Sequence, residues 1–194
     1  MYLYRRAAGG GYPVFPPGRG GTDPGLGNGN NRSDRGDYGG SHGNSSPDDG
    51  GVHAAGDRPA VDFTVKDFDG NDVKLSDYFG KPIVLNFWAY WCGPCQSEMP
   101  EFNARYEELG GDVVFLMVHA DPDTTQGKSY VVANSCDFPV GYDEKGQAAA
   151  AYGISAYPTT FFIDSQGNLQ AYYVGAMDAE LLQLGIDTIY STGN

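Results

Sequence analysis

Two cysteines separated by two residues, Cys92 and Cys95, stand where an apolar run gives way to a helical pattern, and this junction constrains the fold more than any other feature. Ahead of them, Ile83-Val84-Leu85-Asn86-Phe87-Trp88 is short, apolar and rich in β-formers, the pattern of a parallel strand covered on both faces. Behind them, Met99, Phe102, Tyr106 and Leu109 recur at helical spacing from Gln96 to Leu109, and Gly110-Gly111 supplies a stop. The spacing puts Cys92 at the helix entrance and Cys95 about one turn deeper, near enough to bridge after modest adjustment. Unpaired N–H groups and the positive end of the helix dipole favour a negative sulfur at that entrance, so Cys92 is the expected thiolate. The dipole alone contributes about 0.3 to 1 kcal/mol. Hydrogen bonding from the Cys95 region must add to it, while Pro94 fixes φ at a first-turn position where a missing N–H costs little.

The run Trp91-Cys92-Gly93-Pro94-Cys95 resembles the active-site motif of the thioredoxin superfamily. With Leu85-Asn86-Phe87-Trp88-Ala89 before it and Glu98-Met99-Pro100 after it, the chain is most similar to TlpA/ResA-like thiol-disulfide oxidoreductases, over roughly residues 61–190. The resemblance implies an α/β thioredoxin fold: a central mixed β-sheet flanked by helices, with an N-terminal β-hairpin. It implies an enzyme that exchanges disulfides with a client protein and draws on a thiol electron donor; a monomer is the expectation. The cofactor expectation is none beyond the redox-active Cys92–Cys95 disulfide. The Gly93-Pro94 dipeptide resembles that of reducing thioredoxins and favours reduction as the direction.

A second motif lies in Ile154-Ser155-Ala156-Tyr157-Pro158-Thr159-Thr160-Phe161-Phe162-Ile163-Asp164. A proline inside a central strand would forfeit a ladder bond, so Pro158 belongs at the strand's beginning. The segment resembles the family's cis-proline loop, which implies a cis Tyr157–Pro158 bond beside Cys92 and Cys95 and a main-chain edge at Tyr157 for an extended client segment. Trp91, Gly93, Pro94, Tyr157, Pro158 and Gly175 are the expected client-contact residues. Trp91 would shield one side of the disulfide, and Gly175 would let a partner approach.

Proton handling departs from ordinary thioredoxins, which carry a buried carboxylate six residues before the first cysteine. Asn86 stands there instead and cannot accept a proton. Glu98, three residues after Cys95, matches the glutamate of ResA-like members and is the third candidate catalytic residue. It is either a carboxylate that tunes or deprotonates a cysteine, or a first-turn glutamate favoured by the helix dipole. Cys136 is either a resolving or regulatory thiol or a small, half-buried apolar residue. With no second C-x-x-C and no local histidine pairing beside it, no metal site is expected.

The remaining chain reads as support. Val61, Phe63 and Val65, the turn Asp69-Gly70, then Val73 and Leu75 form the predicted hairpin, and Ser76 to Pro82 a loop or single helical turn. Asp112 to Val118 is a second buried strand, parallel to the first. Asp121 to Val140 is an extended connection with a helix over Gly127–Ala133, and Gln147 to Tyr152 a short helix. Leu169 to Val174 returns beside the cis-proline strand. Asp178 caps a last helix, Ala179 to Tyr190, whose Leu181, Leu182, Leu184, Ile186 and Ile189 form a broad apolar face. Trp88, Phe63, Phe87, Phe115 and Phe161 are core candidates.

Composition divides the chain. Residues 1–60 hold 16 of its 29 glycines and six of its 12 prolines, too little apolar surface to offset ordering entropy, so they read as a disordered tail or tether ahead of a domain over 61–194. That tail carries six Arg against six Asp, so the net charge of −13 belongs to the domain, where six basic residues face 19 acidic ones. Such a field argues against nucleic acid or an anionic membrane as partner; it is either an attraction for cationic proteins or an ordinary acidic, soluble surface. Arg5-Arg6 is not followed by an apolar segment, and no run of ~20 apolar residues could span a membrane. Read from Met1 the chain is cytoplasmic, yet its Gly/Asn/Ser spacer resembles the tether of membrane-anchored or lipoprotein members, which makes an extracytoplasmic, tethered protein the expectation. Two rivals remain: a peroxiredoxin-related peroxidase, against which stands the missing Pro/Thr-flanked cysteine loop, and a non-catalytic binding module stapled by its disulfide.

Overall fold

The strand before the cysteines is β4 (Ile83–Trp88), and all six of its residues are buried. Its two faces feed two cores. Ile83, Leu85 and Phe87 point into one, and Val84 and Trp88 into the other, as the alternation of a strand covered on both sides requires. The computed structural model describes residues 51–190. Among them eight strands form one mixed sheet in the order β1-β8-β7-β4-β5-β6-β2-β3. Here β1 is His53–Pro59, β2 Thr64–Lys66, β3 Asp72–Lys74, β5 Val114–His119, β6 Val140–Tyr142, β7 Thr159–Ile163 and β8 Asn168–Val174. β4 pairs in parallel with β5, and β5 with β6, while β7 runs antiparallel to β4 and β8 to β7. The helices are α1 (Gly93–Leu109), α2 (Thr124–Ala133), α3 (Gln147–Ala151) and α4 (Ala179–Tyr190), with a 3-10 turn at Leu75–Tyr78.

The first core collects α1, α2 and α4 around Trp88, Met99, Phe102, Phe115, Val131, Leu182 and Ile186. Phe63, Leu75, Phe87, Phe161 and Ala148 of α3 fill the second. Burying each large side chain contributes roughly 1.5 to 3 kcal/mol, so the active-site strand is fixed from both sides. α1 ends as expected, with Gly110 in the left-handed conformation (φ 59°) and its N–H bonded to Tyr106 O.

Four expectations are corrected. The boundary at residue 60 falls too late, because residues 53–59 form β1, an antiparallel partner of β8 that clothes the sheet's edge. The rest of the expected disordered tail, residues 1–50, lies outside the described residues. The connection after β5 contains β6, whose three residues with a central Gly141 carry no periodicity. Leu184, assigned to the apolar face of α4, is 52% exposed. Cys136 is buried rather than half-buried.

Candidate active site

β4 ends and α1 begins within four residues, and that abrupt turn presents the sulfurs. Cys92 caps α1, its Sγ accepting a hydrogen bond from the Cys95 N–H (3.2 Å). Pro94 occupies the first turn, where helices tolerate it. Cys92 and Cys95 are bonded to each other (S–S 2.09 Å), Cys92 only 5% exposed and Cys95 wholly buried. The first sulfur therefore lies at the helix mouth, the second behind it. The Gln96 side-chain amide donates to Tyr90 O and binds the turn to the helix.

Glu98 lies one turn further on, with 1% of its surface exposed. Its Oε1 accepts from Asn86 Nδ2 (2.8 Å) and its Oε2 from the Met177 N–H (2.9 Å). Burial pushes its carboxyl up to about 7 from an ordinary 4.5, and those two donors only partly oppose the rise. The residue is thus far from a solvated first-turn glutamate: it is a buried carboxyl able to gain or lose a proton near neutral pH. Asn86 supplies the donor, bonding Thr160 Oγ1 (3.0 Å) through the same nitrogen while its Oδ1 stays buried without a partner.

The Tyr157–Pro158 bond is cis, and Pro158 leads directly into β7. Gly175, at φ 120°, donates its N–H to Pro158 O (2.9 Å), joining the end of β8 to the cis-proline loop. Trp91 is 58% exposed, yet its indole N–H bonds Asp121 Oδ2 (2.7 Å) and its ring meets the Tyr157 ring edge-on at 5.9 Å. Gly93 and Pro94 lie exposed beside it. Trp88, by contrast, is buried core.

Sequence reasoning missed the acceptors and donors that hold this site from a distance: Met177 for Glu98, Asp121 for Trp91, and His119 beneath Tyr90. Only Asn86, a polar residue inside an apolar strand, advertised such a network locally. Cys136 stands apart from it, a buried thiol pushed up to about 11, chiefly by burial and secondarily by the Asp137 charge. Among the described residues no three His, Cys, Asp or Glu side chains cluster as metal ligands would, and no helix is long and apolar enough to cross a membrane.

Comparison with known proteins gives one consistent picture. The profile of the AhpC/TSA family matches residues 57–172. The thiol-disulfide oxidoreductase ResA of Bacillus thuringiensis subsp. konkukian is 35% identical over 129 residues, 65% of this chain and 73% of that protein. The thioredoxin-like protein YneN of Bacillus subtilis is 33% identical over 131 residues, 66% and 76% of the two chains. Among solved structures, a Chlorobium tepidum protein assigned as thiol:disulfide interchange protein DsbE superposes with a TM-score of 0.63 at 32% identity, over 67% of this chain and 94% of that one. The exposed lipoprotein thioredoxin Etrx1 of Streptococcus pneumoniae does so with a TM-score of 0.58 at 32% identity, over 66% and 99%.

Proposed function

The chain belongs to the AhpC/TSA family and is a thiol-disulfide oxidoreductase of thioredoxin fold, and from that premise we propose that it works as a reductase of protein disulfides outside the cytoplasm. The observation that carries the reading is the pairing of a helix-capping Cys92 with a buried Cys95 and a buried carboxyl one turn away. In the dithiol form, the Cys95 N–H and the helix dipole stabilise a thiolate at Cys92. That thiolate attacks a client disulfide, forming a Cys92–client bond and expelling the client's other sulfur. Cys95 then attacks Cys92 Sγ, the client leaves with both electrons as a dithiol, and the Cys92–Cys95 bond closes. Glu98 takes the proton that Cys95 gives up, a role its raised carboxyl suits. The electrons pass through the cysteine pair itself, with no separate cofactor, and a thiol donor restores the dithiol.

The client lies as an extended segment along Tyr157 and Pro158, between Trp91 and the backbone at Gly93, Pro94 and Gly175. The placement outside the cytoplasm draws on Etrx1, described as an exposed lipoprotein thioredoxin; a membrane tether ahead of the domain follows the same analogy. The test is insulin reduction with a dithiol donor. Cys92→Ser is expected to abolish turnover, and Cys95→Ser to accumulate a mixed disulfide with insulin; trapped instead from a cell extract, the partner released by reductant and sequenced is the client. Unchanged turnover in Cys92→Ser would overturn the reading, and peroxide consumption in place of insulin reduction would favour a peroxidase.

A further inference from the structure

The turn after β5 reaches the active-site loop at three points that the exchange chemistry leaves unexplained. His119, the last residue of β5, is fully buried, and its Nε2 accepts a long hydrogen bond from the Tyr90 N–H (3.4 Å). Its ring lies edge-on to Trp88 (4.9 Å), stacks on Tyr90 (6.0 Å, 23° between planes) and leans on Tyr142 (5.8 Å). The next two residues continue the contact. Ala120 donates its N–H to Trp88 O (2.9 Å) and accepts the Tyr157 hydroxyl at its own carbonyl (3.2 Å), while Asp121 takes the Trp91 indole N–H (2.7 Å). Three consecutive residues thereby hold Tyr90, Trp91 and Tyr157.

Space for the imidazole comes from α2. A Cβ on Gly127 would sit 2.7 Å from His119 Cδ2 and Nε2, so only glycine lets this ring lie flat beneath the loop. Because Nε2 accepts, the ring proton resides on Nδ1, which is buried with no hydrogen-bond partner. An orphaned buried donor is costly and rare in a native fold and asks for a reason.

We propose that His119 is a positioning residue: as a neutral acceptor it fixes the Tyr90 backbone, and with it the segment carrying Trp91 and Cys92, and its protonation releases that segment. The proposal rests on the reading of Cys92 as the attacking sulfur. A second ring N–H would face the Tyr90 N–H donor to donor, turning attraction into repulsion. The charges around the ring divide. Asp121 and Asp123 on the following turn favour the cation, and burial outweighs them, holding the imidazole below its ordinary 6.5. From α2, the Lys128 ammonium lies over the Tyr142 ring (5.2 Å). From β6, Tyr142 presents a phenol, and Asp143, whose N–H bonds His119 O (3.0 Å), spends its carboxylate on the Gln147 and Ala149 N–H groups. Tyr90 adds a phenol stacked on the ring.

The experiment is a nitrogen-15 NMR titration of the full oxidised chain, taken from about pH 7.5 down through the ordinary imidazole value and on to the acid limit of the fold, because burial holds His119 below 6.5. It is run in a Glu98→Gln background, so that the buried carboxyl does not titrate alongside. The Tyr90 amide and Trp91 indole signals are expected to move with the His119 ring nitrogens, at one shared midpoint. His119→Leu is expected to slow alkylation of Cys92 in the dithiol form by about five- to tenfold at neutral pH, the loss of one hydrogen bond's worth of positioning. His119→Gln, which keeps an uncharged acceptor, is expected to recover most of that rate and to abolish the titration of Tyr90 and Trp91. Tyr90 and Trp91 signals that stand still while the ring charges overturn the proposal, as does a ring that stays neutral until the fold is lost, or a His119→Leu protein whose Cys92 reacts at the original rate. Should neither His119 variant fold, the titration with His119 in place decides alone. A parent protein that reduces no disulfide would overturn the exchange reading and leave this titration standing.

Discussion

Glu98 carries the largest pH consequence of any single side chain at the site. Its folded value of about 7 lies above the ordinary 4.5, so between those limits the folded protein holds a proton that the unfolded chain has released. Stability therefore falls as pH rises through that window, by up to roughly 3 to 4 kcal/mol at ~1.36 kcal/mol per unit. His119 acts in the opposite sense, since burial holds it below 6.5 and favours the folded state as pH rises toward that value. Comparing the enzyme with Glu98→Gln by urea unfolding cancels the histidine. The stability of the parent relative to the variant should decline from pH 5 to pH 8, and a flat difference would count against a raised carboxyl. The position of Glu98 three residues after Cys95 was legible in the chain, but its donor at Met177, 79 residues away, was not. Contacts of that separation leave no periodic trace. His119 escaped for a related reason: one histidine closing an apolar strand looks like a strand end, and only the fold sets Tyr90 and Gly127 against it.

Among the elements, α4 shows how closely the helices fit the sheet. A Cβ on Gly185 would lie 2.0 Å from Cζ of Phe162, a fully buried ring of β7. Gly185→Ala gains about 1 kcal/mol of helix propensity, but forcing a methyl into a filled core costs up to about 3 kcal/mol. The clash should win, lowering the urea midpoint without changing the slope. The end of α2 offers a second check. Cys136, its N–H bonded to Val131 O (3.1 Å), is buried and its thiol is pushed up to about 11. After reduction, brief alkylation of the native protein should spare it and modify it only in denaturant, as counted by mass spectrometry. β4 and β5 were readable as six-residue apolar runs rich in β-formers, and α1 and α4 by their helical spacing of apolar residues. β6 was invisible at three residues, and β1, with Gly56 and Asp57 at its bulge, has the composition of a loop and becomes a strand only because β8 offers an unpaired edge.

For the molecule as a whole, charge is the dominant surface property: from residue 61 onward 19 acidic side chains face six basic ones. Attraction to a lysine-rich client should therefore be screened as the Debye length shrinks from about 8 Å at 0.15 M salt to about 3 Å at 1 M. Reduction rates for such a client should fall steeply with salt, and those for a neutral client should stay level; equal salt dependence would remove charge as a determinant of client choice. The fold class followed directly from the cysteine motif and the cis-proline segment, whereas the extent of the sheet did not, because both of its outermost strands are short or irregular. That irregularity has its own consequence. One flank, β1, is bulged between Ala54 and Arg58 and finishes in Pro59, and the other, β3, offers only Asp72 to Lys74. Neither rim is a usable template for another chain's backbone, so crowding many copies together should leave them dispersed instead of zipping them into fibrils.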